Sequence, residues 1–382
     1  MSKEEGISAM MKIRSKIKNY EVGMIDDLLS KKGEVFKNFS YDRLFFFIDK
    51  NVYEKYENQL APFISNDRFF LIDALESNKE YSHLVEYYDL LIENRFTRND
   101  ILIAIGGGII QDISGFIAST LYRGIHWIFI PTTLLAQADS CIGSKTSINF
   151  GSRKNLIGTF YPPDAIFIDT GFCETLTPEY FNSGLGEIIK FHLQADQKQY
   201  EVLKKFLALK DPHSPQALKK IIWSTLKIKR SYFEKDEFDS ARRNLLNYGH
   251  CFGHALESAS DFTVNHGEAV IVGMGFANLV SARRGLMDPE KYAEFEALLK
   301  RYYPRFDLSE IAVDDIISYL KQDKKRVGKG LTMILSEDIG RQCKYNDLTE
   351  QEVRDTFWEF LTIYPHAAPA GLESGKKRTR KR

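Results

Sequence analysis

The 382-residue sequence lacks the features of a membrane or secreted protein. No apolar run approaches the roughly 18 residues needed to cross a bilayer, and the charged N-terminus, MSKEEGISAMMKIRSK, has no apolar core of a signal peptide. Its four cysteines, Cys141, Cys173, Cys251 and Cys343, are widely spaced and form no CxxC pair. This pattern favours a reducing compartment. We therefore expect a cytoplasmic protein that does not associate with a membrane.

The sequence also lacks an excess of charge of either sign, with 52 Lys and Arg against 52 Asp and Glu. Six of its last seven residues are basic, which leaves 46 against 52, a net charge of −6, for the rest. We predict a disordered basic tail at 366–382 and no nucleic-acid partner. With 43% hydrophobic residues, the length predicts two domains. A shift in composition near Thr175 places them at residues 1–175 and 176–365.

The chain is organised around the stretch from Ile101 to Thr133. A β-branched apolar run reaches three consecutive glycines, Gly106 to Gly108, and a helical pattern then leads into a second apolar run from His126 to Ile130. This order predicts a strand, a tight turn, a helix and a parallel strand. Glycines there let the backbone approach a ligand, and a helix N-terminus favours a phosphate group. Because Gln111 breaks the GxGxxG pattern, a turn kept only for packing is the alternative.

Polar side chains follow two further predicted strands. LFFFID (Leu44 to Asp49) and FFLID (Phe69 to Asp73) both end on an aspartate. Ligands of parallel sheets bind at the carboxyl ends of the strands. Asp49, Asn51, Glu76 and Lys79 are therefore candidates for nucleotide contacts, although a polar residue that ends a strand is often only a turn former.

Residues 131–169 combine glycine and serine with cations and amides. Lys145, Lys154 and Asn155 lie there among small residues, as does Asp139. Cations and an amide suit a phosphate or a carboxylate, so we predict a functional loop that ends at a last strand, Ile166 to Asp169. A solvated loop is the alternative.

From Pro178 to about residue 320 the pattern is almost wholly helical and contains possible metal ligands. Glu187 and Lys190 lie three apart on one predicted helix, and His250 and His254 lie four apart on another. His266 follows in NHGEAV. Two imidazoles and a carboxylate are typical of a zinc site with open positions. The spacing favours His250 and His254 with Glu187 or Glu268, whereas Cys251 is expected to be a packing residue.

Seven motifs together resemble 3-dehydroquinate synthases, within the sugar phosphate cyclases. They are GGGIIQDISGF, YRG, PTTLLAQADSCIGSKT, RKNLIGTFYPP, SGLGEIIK, RNLLNYGHCFGHALE and NHGEAV. They fall in order between about residues 42 and 340. The resemblance implies an α/β fold, with an N-terminal Rossmann-like nucleotide-binding domain and a mainly α-helical C-terminal metal-binding domain. It further implies a cleft that holds NAD and Zn²⁺ (or Co²⁺), and a homodimer.

The resemblance also implies the roles of individual residues. The metal ligands would be Glu187, His250 and His266, with His254 instead an acid or base at the substrate. The cofactor residues would be Asp49, Asn51, Glu76, Lys79, Gly107, Gly108, Asp112, Thr132, Thr133, Asp139, Lys154 and Thr175. The substrate residues would be Arg123, Lys145, Asn155, Lys190, Lys229, Arg243, Asn247, His254 and Lys325. Arg123, in YRG, would act across the dimer.

The implied activity is that of a carbon–oxygen lyase acting on an anionic sugar phosphate. A ring hydroxyl is oxidised by NAD, phosphate is eliminated, the hydride is returned, and an aldol addition closes the carbocycle. Lys229 and Arg243 suit a substrate carboxylate, which favours 3-deoxy-arabino-heptulosonate 7-phosphate (DAHP). The alternatives are an amino-dehydroquinate synthase, a cyclase that uses sedoheptulose 7-phosphate or glucose 6-phosphate, and a metal-dependent polyol dehydrogenase.

Four residues depart from the pattern of this family. Gln111 and Ser144 stand where glycine is usual, Gly186 replaces alanine, and Cys251 replaces threonine or serine. None of these departures removes a catalytic group.

Overall fold

A seven-stranded sheet forms the centre of the first part of the chain in the computed structural model. The model describes residues 7–31, 34–64, 68–151, 153–322 and 330–364. In chain order the strands of this sheet are β1 (Ile7–Ile13), β2 (Tyr20–Ile25), β3 (Leu44–Asp49), β4 (Phe69–Ile72), β5 (Ile101–Gly106), β6 (His126–Pro131) and β9 (Ala165–Ile168). Their spatial order is β1-β2-β9-β6-β5-β3-β4. Only β1 and β2 pair antiparallel, and the remaining pairs are parallel.

The central strands are apolar throughout because both faces of the sheet are covered. Every residue of β5 is buried, and so are all residues of β3 except Leu44. β4 is the edge strand, and its Leu71 is 42% exposed. The prediction of two buried strands is therefore confirmed for β3, whereas β4 is only partly buried because nothing pairs with its outer edge among the described residues.

Eleven α-helices complete the described parts of the chain. They are α1 (Lys50–Leu60), α2 (Leu84–Glu93), α3 (Gly108–Thr120), α4 (Pro178–Gln194), α5 (Gln197–Leu207), α6 (Pro215–Phe233), α7 (His250–Ala259), α8 (His266–Arg283), α9 (Pro289–Leu299), α10 (Val313–Gln322) and α11 (Glu350–Ile363). Proline at the first turn starts α4, α6 and α9, where its missing N–H costs no hydrogen bond. The helical region predicted from Pro178 is confirmed.

Two segments have more regular structure than the sequence predicts. The expected functional loop contains a π-helical turn, Ala136–Ser140, and a two-stranded hairpin of β7 (Lys145–Phe150) and β8 (Arg153–Phe160). A second hairpin, β10 (Leu331–Asp338) with β11 (Arg341–Leu348), lies in the mainly helical part. The irregular conformation predicted for this segment is wrong, because polar residues conceal the buried positions Thr146 and Ile148 of β7. The functional role of the segment stays a prediction.

The described residues form two compact units, with the division between Leu246 and Asn247. The helices α4 to α6 therefore belong to the same unit as the sheet. The domain boundary near Thr175 stays a prediction. No described helix has the length and hydrophobicity to cross a membrane. Two predictions, the substrate residue Lys325 and the basic tail at 366–382, lie outside the described residues.

Candidate active site

The predicted glycine turn lies between β5 and α3, and its three glycines have different surroundings. A Cβ at Gly106 would overlap the side chain of Ile110, and one at Gly107 would lie 3.0 Å from Thr133 Cγ2. A Cβ at Gly108 would meet nothing within 4 Å. Packing therefore requires the first glycine and restricts the second, whereas Gly108 leaves open space at the N-terminus of α3. That end of a helix presents N–H groups to an anion.

Two more predicted cofactor positions adjoin this turn at the ends of neighbouring strands. The Oδ1 of Asp49 accepts hydrogen bonds from the backbone N (2.9 Å) and Nδ2 (3.2 Å) of Asn51, and burial raises the pKa of Asp49. The backbone N of Thr132 donates to the carbonyl of Gly106 at 3.0 Å. Its buried Oγ1 has no hydrogen-bond partner within the described parts of the chain. A buried hydroxyl of this kind fits a polar ligand at the glycine turn.

A polar network joins four of the predicted residues. Lys79 Nζ lies 2.8 Å from Asp112 Oδ2, 2.8 Å from Asn155 Oδ1 and 3.7 Å from Glu76 Oε1. Ser147, which the sequence analysis missed, donates to Asp112 from its backbone N (2.9 Å) and its Oγ (3.0 Å). Burial raises the pKa of Asp112, and the charge of Lys79 opposes this. Asn155, assigned to the substrate, thus contacts residues assigned to the cofactor.

A second cluster brings two cations together at the loop before β7. Lys229 Nζ lies 2.7 Å from Asp139 Oδ1. Lys229 and Arg243 are only 6% and 7% exposed. Burial lowers the pKa of Lys229, and the carboxylate of Asp139 opposes that effect. A Cβ at Gly143 would lie 3.0 Å from Arg243 Nη2 and 3.9 Å from Lys229 Nζ. The absence of a side chain at Gly143 therefore lets both cations approach the same loop.

The departure from glycine at Gln111 has a structural explanation. Gln111 Nε2 donates to the carbonyl of Ser140 at 2.8 Å, and Ser140 Oγ donates to Gln111 Oε1 at 2.6 Å. Gln111 lies in α3 and Ser140 in the π-helical turn that carries Asp139. These two hydrogen bonds connect the helix after the glycine turn to the segment that holds Lys229.

Other predicted residues of the first unit are exposed, or they contact a residue outside the predicted set. Lys145 Nζ contacts Asp239 Oδ2 at 2.7 Å, and the sequence analysis missed Asp239. Lys154 is exposed on β8. Thr175 Oγ1 is 3.3 Å from the hydroxyl of Tyr56. Arg123 is exposed in the turn after α3, with φ of 64°.

Two adjacent turns of α4 carry a buried ion pair. Glu187 is fully buried, Lys190 is 2% exposed, and their charged groups are in contact. The predicted i, i+3 arrangement on one helix face is thereby confirmed. Each charge compensates the other where water is excluded.

The second unit brings three histidines together. The candidate ligand atoms of His250, His254 and His266 all lie within 4.8 Å of one another. His250 and His254 lie on successive turns of α7, and His266 is the first residue of α8. Close packing of these helices depends on glycine, because a Cβ at Gly273 would overlap the carbonyl oxygen of Gly249. The cluster contains both the pair predicted from spacing and the pair implied by the resemblance.

His250 and His266 each have an oxygen atom close to Nδ1. Nδ1 of His250 lies 3.3 Å from the carbonyl oxygen of Tyr248, and Nδ1 of His266 lies 3.2 Å from Glu257 Oε2. Such contacts at Nδ1 direct Nε2 of each ring to a metal, which is the usual arrangement around zinc-bound histidine. The donor set therefore fits a zinc or cobalt ion. The sequence analysis missed Glu257, although its position three residues after His254 places it on the same helix face.

Comparisons with known proteins show the family to which this chain belongs. A family model for the N-terminal part of 3-dehydroquinate synthase matches residues 69–183, and one for its C-terminal part matches residues 184–326. This chain belongs to the 3-dehydroquinate synthase family. The 3-dehydroquinate synthase of Prochlorococcus marinus is 38% identical over 309 residues, which cover 78% of this chain and 84% of that protein. The Dictyoglomus thermophilum enzyme of the same name is 35% identical and covers 90% and 96% of the two chains.

Solved structures extend the family relationship to other cyclases. A 2-deoxy-scyllo-inosose synthase complexed with carbaglucose-6-phosphate, NAD⁺ and Co²⁺ is 25% identical, with a TM-score of 0.81 over 92% of this chain and all of that one. A 2-epi-5-epi-valiolone synthase from Streptomyces hygroscopicus with NAD⁺ and Zn²⁺ bound is 27% identical, also with a TM-score of 0.81, covering 91% and 98%. Glycerol dehydrogenase from Schizosaccharomyces pombe, 15% identical with a TM-score of 0.63 over 89% of each chain, shares the fold alone.

Proposed function

We propose that this chain is an NAD- and divalent-metal-dependent enzyme that converts DAHP to 3-dehydroquinate and phosphate. The observation that carries the substrate assignment is the approach of Lys229 and Arg243 to the same loop at Gly143. Two buried cations at one loop suit an acid, and arginine can hold a carboxylate through two parallel hydrogen bonds. Family relatives named 3-dehydroquinate synthase support the same activity.

The residues around the glycine turn would hold NAD. Gly108 offers open space at the start of α3, and the buried hydroxyl of Thr132 lies one strand away. Asp49 is the last residue of the neighbouring strand β3. The other proposed cofactor residues are Asn51, Glu76, Lys79, Gly107, Asp112, Thr133, Asp139, Lys154 and Thr175.

His250, His266 and Glu187 would hold a zinc or cobalt ion. Bound NAD would accept and return a hydride, while the bound metal would polarise substrate hydroxyl groups. Tyr248 and Glu257 orient the two imidazoles through their Nδ1 atoms. Glu187 would supply the carboxylate ligand. The ammonium group of Lys190 contacts this carboxylate.

The exposed histidine of the cluster would exchange protons with the substrate. His254 is exposed, unlike its half-buried neighbours His250 and His266, and imidazole is the side chain best suited to proton transfer near neutral pH. The anionic groups of the substrate would be bound by polar and cationic side chains. These are Arg123, Lys145, Asn155, Lys190, Lys229, Arg243, Asn247 and Lys325.

Two further parts of the proposal concern assembly and location. We propose a homodimer in which Arg123 serves the site of the partner, a role that its exposed position after α3 allows. We also propose that the enzyme acts in the cytoplasm, for which the scarcity of cysteine is the support.

One assay tests the activity against its alternatives. Purified protein with NAD and zinc is offered DAHP, sedoheptulose 7-phosphate and glucose 6-phosphate in parallel, and phosphate release is measured. We expect release from DAHP only, with no net formation of NADH. Release from either of the other sugars would contradict the substrate assignment. Net NADH from a simple polyol, without phosphate release, would instead indicate a dehydrogenase.

A further inference from the structure

Ser144 occupies a backbone conformation that favours glycine. Its φ of 58° lies in the left-handed region, which a residue with a Cβ adopts only at a cost. Ser144 is 6% exposed, and its Oγ donates a hydrogen bond to Glu237 Oε1 at 3.0 Å. Serine at this position has the cost of a left-handed backbone, and it gains a buried hydrogen bond to a carboxylate.

Glu237 is the point at which three segments of the first unit meet. Besides Ser144, it accepts hydrogen bonds from Ser15 Oγ at 2.6 Å and from the backbone N of Lys16 at 2.6 Å. Ser15 and Lys16 belong to the turn between β1 and β2. Glu237 is only 2% exposed. The three hydrogen bonds stabilise the buried negative charge of Glu237, and the loss of any one of them would weaken that stabilisation. Glu237 therefore holds its three donors in place.

The same segments hold the guanidinium group of Arg243. Its Nη1 donates to the carbonyl oxygen of Glu237, and its Nη2 donates to that of Gly143 at 3.3 Å. Gly143 immediately precedes Ser144. The hydrogen bond from Ser144 to Glu237 thus connects the two backbone segments whose carbonyls fix the guanidinium. Arg243 also lies over the ring of Phe233, 5.3 Å from its centroid.

We propose that Ser144 and Glu237 are positioning residues that hold Arg243 in the orientation needed to bind the carboxylate of the substrate. This inference rests on the proposed function, since it assumes an acid as substrate. Neither residue needs to touch the substrate, because each acts through the carbonyl oxygens that contact Arg243. The pair would determine the affinity for an acidic sugar phosphate more than the rate of the chemical steps.

Two substitutions at Ser144 separate the hydroxyl from the backbone. Ser144→Ala removes the donor and keeps the Cβ, whereas Ser144→Gly removes the donor and relieves the left-handed conformation. We expect both variants to raise the KM for DAHP about tenfold, with kcat changed less than about threefold, as for a lost contribution to binding. The dissociation constant of NAD should stay within about twofold. Ser30→Ala is the matched control, because it removes an exposed hydroxyl that contacts the carbonyl of Asp27.

A double-mutant cycle distinguishes positioning from general loosening of the structure. If Ser144 acts through Arg243, then Ser144→Ala should change the KM less than about twofold in an Arg243→Lys background. An unchanged KM for DAHP in the Ser144 single variants, or the same increase of the KM in both backgrounds, would overturn the inference. The proposed function would still stand in that case if the wild-type protein turns over DAHP. A wild-type protein that releases phosphate only from a sugar without a carboxylate would overturn both, and the parallel assay identifies that case.

Discussion

Replacing Gly108 with alanine should weaken NAD binding without weakening the fold. A Cβ at this position meets no atom within 4 Å, so it causes no steric clash inside the protein. The residue is the first of α3, where alanine is a better helix former than glycine. We expect the free energy of unfolding to change by less than about 0.5 kcal/mol. The added methyl group would stand where a phosphate approaches the helix N-terminus, and we expect the dissociation constant of NAD to rise at least about tenfold, or about 1.4 kcal/mol.

Gly106→Ala is the matched comparison, because it adds the same atom two residues earlier. There the new Cβ would overlap Ile110 Cγ1 and lie 2.7 Å from Ile110 Cβ and 3.2 Å from Asp49 Cβ. Overpacking of this kind costs about 1–3 kcal/mol. Calorimetric titration with NAD and urea unfolding, applied to both variants, should show opposite patterns. Unchanged NAD affinity in Gly108→Ala, or a loss of stability equal to that of Gly106→Ala, would refute the account of the open helix N-terminus.

Two further predictions concern histidines. His250→Ala and His266→Ala should each lose bound zinc together with activity, whereas the exposed His126→Ala should lose neither; metal analysis showing full occupancy in the first two variants would contradict the ligand assignment. His192 is buried, and this burial lowers its pKa from 6.5 to about 4. Since only the unfolded state takes up a proton between these values, its contribution to stability is complete above pH 6.5 and is lost as the pH falls towards 4. By pH 4.5 urea unfolding should show that this contribution to the free energy of unfolding has fallen by about 2–3 kcal/mol, and a His192→Gln variant with the same pH dependence as the wild type would refute it.

The core of the sheet is predictable from sequence because its signals are local and strong. The runs that form β3, β5 and β6 are apolar and rich in β-branched or aromatic residues, as buried parallel strands require. Three glycines then mark the turn into α3. The helices from Pro178 onward are equally clear, since proline and apolar periodicity mark where they begin and continue.

The N-terminal strands and the β7–β8 hairpin could not be predicted in the same way. β1 lies at the edge of the sheet and pairs with β2, and a charged residue interrupts the apolar sequence of each strand, Lys12 in β1 and Glu21 in β2. In the hairpin, Thr146 is buried, and its hydroxyl oxygen lies 2.8 Å from Thr159 Oγ1. Such a pairing depends on a residue 13 positions away, and a local pattern carries no information about it.

The histidine cluster shows the same limit at the level of single residues. The spacing of His250 and His254 correctly predicts that they share a helix face, and His266 joins them because α8 packs on α7. The separation of two metal ligands from a proton-transfer residue is implied by the family resemblance rather than by spacing, and it stays a prediction. The partners of His250 and His266 at Nδ1 are a backbone carbonyl and the carboxylate of Glu257. A backbone carbonyl has no sequence signature, so the contact of His250 with Tyr248 is visible only in the fold.

Two pairs of opposite charge join predicted site residues of the first unit, and they change how substitutions of these residues should be interpreted. Lys229 pairs with Asp139 and Lys190 with Glu187, so that in each pair a residue assigned to the substrate neutralises one assigned to the cofactor or the metal. Removing one member of such a pair leaves the other as an uncompensated charge, at a cost of about 3–5 kcal/mol for a fully buried pair such as Glu187 and Lys190 and less for Lys229 and the partly exposed Asp139. A variant such as Lys229→Met therefore loses substrate contacts and disturbs Asp139 together. Only comparison with Asp139→Asn and with the double variant separates these two effects, because the double variant carries no unpaired charge at this position.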